Sequence, residues 1–187
     1  MQHLVIVFLH VASAMGIVAS FGIESLVLTQ LRAARTATDA RTVLSSYRYS
    51  QRAGAASLIV TVVTGIYLAT AYWGWRGAWM GIGFLTLVAI AIIGATMTGR
   101  AVTRLLRVDS VDAGAALPSA FVARLRMSFL IRMSLFVGIV FLMTVKPVAP
   151  VPALSVIGVA ALLGVLFGLP AMRRAPALPN EPRAPAR

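Results

Sequence analysis

The sequence predicts an all-α, polytopic membrane helix bundle with five transmembrane helices, and three observations carry that reading. Hydrophobic residues make up 59% of the chain and charged residues 12%, against about 45–50% and about 25% in soluble domains. The apolar residues fall in runs, each of a length to cross a hydrocarbon core of about 30 Å as a helix. The basic residues gather between those runs. Inside hydrocarbon only helices or closed barrels satisfy the backbone, and these runs lack the two-residue alternation of barrel strands.

The first span covers about residues 3–31, with Glu24 its only formally charged residue. Ala12-Ser13-Ala14 has the small-residue pattern of a cleavage site. Met1-Gln2-His3 carries no basic residue, however, and the apolar run continues past the site, so an uncleaved span is expected. Thr38-Asp39 then offers a cap for a short, separate helix over residues 40–51. Spans two and three cover residues 54–73 and 77–99. The short Gly74-Trp75-Arg76 turn between them predicts an antiparallel hairpin. Arg100, Arg104 and Arg107 continue span three out of the membrane at near-helical spacing, and residues 109–118 read as a loop. Span four covers residues 127–145, with Arg132 near its start, and span five covers residues 151–169. Residues 1–172 form one bundle domain. Residues 173–187, rich in Pro, Ala and Arg, are expected to be a disordered basic tail.

Seventeen Lys and Arg against five Asp and Glu give a net charge of +12. Every basic residue except Arg76 and Lys146 falls on one face of a five-span topology. This is the pattern of a protein facing an anionic cytoplasmic leaflet, not of a nucleic-acid binder. The positive-inside rule then places the N-terminus outside and the C-terminus in the cytoplasm of a bacterial inner-membrane protein. Tyr72, Trp73, Trp75 and Trp79 cluster at the opposite interface, where amphipathic rings favour the headgroup zone. The chain has no cysteine, which excludes disulfides, zinc–thiolate sites and cysteine nucleophiles.

Small residues at four-residue spacing mark close helix contacts: Gly54, Ser57, Thr61 and Gly65 on span two, Ser134 and Gly138 on span four, and Ala160, Gly164 and Gly168 on span five. Two uses are open for the last set, packing within the chain or a homodimer seam through Gly164 and Gly168.

Span one alone carries ionisable groups in a polar stripe. At about 100° per residue, His3, His10 and Glu24 lie within about 60° of one another, with Ser13 and Ser20 on the same side. Such a stripe faces the bundle interior or a hydrated cavity. Glu24 is expected to pair with Arg52, Arg100 or Arg132. His10 has three readings: an imidazole hydrogen-bonded to a neighbouring helix, for instance to a threonine; a haem or copper ligand; or a proton-handling group. His3 and His10 lie roughly 10 Å apart along the axis, too far for one ion held by bonds of about 2 Å. Met1, Met15, Met80 and Met143 are candidate thioether donors for copper(I) near the outer half.

The stretch Leu9-His10-Val11-Ala12-Ser13-Ala14-Met15-Gly16 resembles the opening of bacterial membrane proteins grouped around the copper-resistance D protein. Thr64-Gly65-Ile66-Tyr67-Leu68 and Gly94-Ala95-Thr96-Met97-Thr98-Gly99-Arg100 resemble a neighbouring family of integral membrane proteins of unknown function, near the J-type protoporphyrinogen oxidases. The resemblance spans about the first 110 residues. It implies that His10 occupies the haem-ligand position of the oxidase group, whose second ligand is a lysine in a later helix. The only lysine here is Lys146, at the end of span four, and the tryptophan–glycine pair of the copper group is missing.

Three function classes follow: a non-enzymatic accessory or transporter-like bundle, a haem-binding redox protein using His10, and a copper-handling protein at the outer face. The topology has its own test. A cytoplasm-active reporter fused to the C-terminus is expected to be active, and the same reporter inserted at Gly74 silent; the reverse pattern overturns the five-span orientation.

Overall fold

The structure, a computed structural model, describes residues 1–34, 37–107 and 119–173. Six α-helices account for nearly all of them, and no strand occurs among the described residues. Helix α1 runs Gln2–Ala33, α2 Ala37–Leu68, α3 Ala78–Ile93, α4 Arg100–Arg107, α5 Ser119–Val145 and α6 Pro150–Arg173. Two wide π-helical segments, Ala69–Trp73 and Gly94–Gly99, extend α2 and join α3 to α4. Five helical stretches are long and apolar enough to cross a membrane: Gln2–Ala33, Thr38–Trp73, Ala78–Thr103, Ala120–Val145 and Pro150–Pro170. The expected loop at 109–118 and the tail after Arg173 lie outside the described residues.

One expected break is absent. The helix expected over residues 40–51 and span two are a single continuous helix. Gly54 does not interrupt it, because its missing side chain serves a close approach: a Cβ there would sit 2.3 Å from Ser20 Oγ on α1. Gly16 on α1 meets Ser57 on α2 in the same way, at 2.4 Å. Small residues thus interlock α1 and α2 from both sides and bring their backbones together.

The remaining helices form a second unit. α5 packs along α6 and against α3, and meets α1 near its middle. Gly164 and Gly168 are used inside this unit. A Cβ on Gly164 would lie 2.8 Å from Ile131 Cα, and one on Gly168 would lie 2.2 Å from Met127 Sδ. The small-residue stripe of α6 therefore seats α5 of the same chain.

Apolar packing is layered along the bundle. Leu31, Leu44 and Val102 centre the arginine-rich end. Phe21, Leu87 and Phe136 centre the middle. Trp79, Leu142 and Ala153 centre the tryptophan-rich end. The turns close at that same end. Gly74 and Trp75 take left-handed backbone conformations (φ 61° and 56°), reversing the chain between α2 and α3. Lys146 also adopts φ 53° and ends α5, its N–H bonded to Leu142 O at 2.9 Å. Pro147 and Pro150 follow, which prevents α5 from continuing. The Ala78 N–H reaches Val148 O at 3.3 Å, tying the start of α3 to the α5–α6 connection.

Although α2 and α3 are joined by a tight turn, they do not pack along their length as an expected hairpin would. α2 is held by α1, and α3 by α5. The furrow left between them contains the polar features described next.

Substituting the helix-contact glycines separates packing from propensity. Gly164→Ala forces the α5 backbone to move and is expected to lower stability by about 1–3 kcal/mol. At Gly158, where an added Cβ meets nothing within 4 Å, Gly158→Ala is expected to match or exceed wild type. Thermal unfolding in detergent reads both.

Candidate functional site

The polar stripe of α1 is turned inward, mostly onto α2. His10 Nδ1 lies 3.0 Å from Thr64 Oγ1. Ser13 Oγ lies 2.8 Å from Thr61 Oγ1. Ser20 Oγ donates to Ser50 O at 3.4 Å. His3 meets the Tyr72 ring edge-on, with centroids 4.3 Å apart, at the end of the bundle. The structure therefore gathers His10, Ser13 and Ser20 on one interface and leaves His3 on the rim.

The hydrogen bonds around His10 bear on its tautomer. Thr64 has a single hydroxyl proton, and its oxygen lies 2.6 Å from the Val60 carbonyl one turn back, to which it donates. Toward His10 it then acts as acceptor, an arrangement that matches the tautomer with the proton on Nδ1 and an unprotonated Nε2. Gly65 makes room for the ring: a Cβ there would stand 3.1 Å from His10 Cε1.

His10 forms part of the wall of a small cavity of about 50 Å³ in the furrow, near the tryptophan-rich end. The other walls are almost wholly apolar, with Trp73, Trp75 and Trp79, Phe84, and the thioethers Met80 and Met143. Met15 is 68% exposed and Met1 fully so, and neither lines this pocket. The four candidate thioethers thus reduce to Met80 and Met143. Lys146 lies at the rim, its Nζ 5.3 Å from the Trp73 ring centre and 6.0 Å from that of Trp79. This cation–π contact places it outside the pocket lining rather than opposite His10 as a ligand. One imidazole faces indole, phenyl and thioether walls, a donor and wall chemistry that a haem would use; the lysine ligand that the sequence resemblance implies is not in position. Among the described residues, no three His, Asp or Glu side chains converge on a common point.

A second polar centre lies at the other end of the furrow. Glu24, 4% exposed, forms an ion pair with Arg132, 8% exposed. Of the three arginines open to Glu24 on sequence grounds, Arg132 is the one it meets. Arg132 Nη2 also donates to Thr98 Oγ1, and Nε to Ser128 Oγ, both at 3.3 Å. Thr98 and Ser128 are 3.0 Å apart and fully buried. Phe21 lies under the guanidinium, 5.7 Å from Cζ. Tyr47 and Gln51 on α2 line the same cavity as the Glu24 carboxylate.

Sequence reasoning did not single out Thr98, Ser128 or Tyr47. A threonine in a membrane helix usually returns its hydroxyl to the preceding turn, as Thr61, Thr64, Thr86, Thr96 and Thr144 do here. Thr98 sits in the wide Gly94–Gly99 segment, and its hydroxyl is bonded instead to α5. The glycines that bound this segment are the only sequence signal of it.

No protein-family model matches the chain, and neither curated proteins nor solved structures give a significant match.

Removing either charge strands its partner in a dry site. Glu24→Gln or Arg132→Met alone is expected to cost about 3–5 kcal/mol, whereas the double substitution recovers a large part of the loss. Unfolding measurements on the four proteins of this cycle check it; additive losses would show that the two charges act independently.

Proposed function

We propose that the chain is a non-enzymatic, haem-binding bundle of a bacterial cytoplasmic membrane, with His10 as the iron ligand. The observation that carries this reading is the ring itself. It lies deeper in the first span than His3, it is hydrogen-bonded to Thr64 on α2, and it belongs to the wall of an apolar, indole-lined pocket. A hydrogen bond on the far nitrogen orients a ligating histidine and raises its basicity. The indole and phenyl walls suit a flat macrocycle, and Lys146 at the rim suits its propionate carboxylates. Met80 and Met143 line the same pocket and would be the in-chain candidates for a second ligand. Bound haem would supply a one-electron couple within the bilayer.

A second reading rests on a different feature of the same pocket. One imidazole and two thioethers form the soft donor set that suits copper(I). The alternative function is then copper handling at the outer face.

Protein produced with ample haem and purified in detergent is expected to show a Soret band. His10→Ala abolishes it, Thr64→Val weakens it, and His3→Ala leaves it intact. A colourless wild type, or equal haem content in His10→Ala, overturns the haem assignment. Stoichiometric copper lost on Met80→Leu would support the copper reading.

A further inference from the structure

The ion pair lies against a cleft of about 330 Å³, whose walls include Glu24, Tyr47, Gln51, Gly94 and Arg132. Arg132 has five N–H groups. Nε and Nη2 are engaged by Ser128, Thr98 and Glu24. Nη1 makes no hydrogen bond among the described residues. Gly94 passes beside this side chain, a Cβ there lying 3.5 Å from Arg132 Cδ and 3.7 Å from Nη1. The Arg132 side chain is about nine-tenths buried, and its Nη1 edge, with two unused donors, is left accessible in the cleft. An acceptor that reaches this edge within apolar walls gains a charge-assisted hydrogen bond.

The mouth of the cleft opens sideways. Ala55 on α2 and Ala91 and Ala95 beyond the furrow line it and are exposed, and all three fall within membrane-spanning stretches. A ligand therefore enters from the lipid phase. Its charge follows from the pair. Glu24 already neutralises Arg132, so an entering anion would be repelled by the carboxylate while losing its own hydration. A neutral oxygen acceptor meets neither obstacle.

We propose that this cleft is a second ligand site, taking a neutral lipophilic molecule whose carbonyl oxygen accepts from Arg132 Nη1 while its chain extends between α2 and α3 into the bilayer. Two membrane components carry that chemistry, isoprenoid quinones and the acyl esters of glycerolipids. The site is separate from the His10 pocket and does not depend on haem.

Native mass spectrometry of the purified chain tests the proposal with three probes: a benzoquinone bearing one isoprenoid unit, a short-chain diacylglycerol, and decanoate. One equivalent of a neutral probe is expected to bind, and which one binds identifies the source. Arg132→Lys keeps the charge opposite Glu24 but removes the forked donor, and is expected to weaken binding by about tenfold or more. Because a lysine there could disturb the bundle, a second variant is needed. Ala91→Leu combined with Ala95→Leu alters only exposed positions and closes the mouth, and is expected to abolish binding. Failure of both neutral probes to bind, preference for decanoate, or unchanged binding in the double-leucine variant overturns the proposal.

Discussion

The ion pair between Glu24 and Arg132 sets the arrangement of the bundle, because hydrocarbon does not accept either group alone. Moving an isolated charge out of water costs several kcal/mol even after relaxation. The helices that carry the two charges must therefore meet, which fixes α1 against α5 at one depth and one rotation. Once α1 is rotated to present Glu24 inward, the residues above it on the same face follow. Ser20, Ser13 and His10 are directed to the neighbouring α2, where hydroxyl and carbonyl partners receive them. The interlock of Gly16 with Ser57, and of Gly54 with Ser20, holds that second contact.

The two polar centres handle hydrogen bonds in opposite ways. At His10 the backbone carbonyl of Val60 takes the Thr64 proton, which matches the tautomer with an unprotonated Nε2. At Arg132 the hydroxyls of Thr98 and Ser128 receive Nη2 and Nε, and the two Nη1 N–H donors remain without a hydrogen bond among the described residues. One end of the furrow offers an acceptor and the other a donor. Both are surrounded by apolar walls, where an unmet polar group has most to gain from a ligand.

The sequence made much of this architecture legible, for physical reasons that differ by element. The five spans follow from hydropathy, since few residues other than apolar ones survive in lipid. Glu24 stood out because a carboxylate within an apolar run requires a partner, and Arg132 was one of three open to it. The separation of α2 and α3 was not legible, because a tight turn constrains only the ends of the helices it joins. Gly54 was legible as a close helix contact, but the continuity of α2 through residues 51–54 was not, because the Thr38-Asp39 cap signal marks where a helix starts and not how far it runs. The partners of Arg132 were hidden for a related reason: Thr96 and Thr98 sit in the same π-helical segment, yet Thr98 is the one buried against α5, and pattern does not reveal which face of such a turn packs inward.

The 108 residues that separate Glu24 from Arg132 bear on how the chain is made. At a synthesis rate of about 5–20 residues per second, the arginine follows the glutamate by roughly 5–20 s. During that interval α1 and α2 are complete enough to interlock, but the carboxylate has no counter-charge. It must wait close to headgroup water. Arrival of α5 then ends the wait and joins the two halves of the bundle. A chain stopped before that point would display an uncompensated acid inside the membrane, a chemical mark by which an incomplete product differs from a finished one.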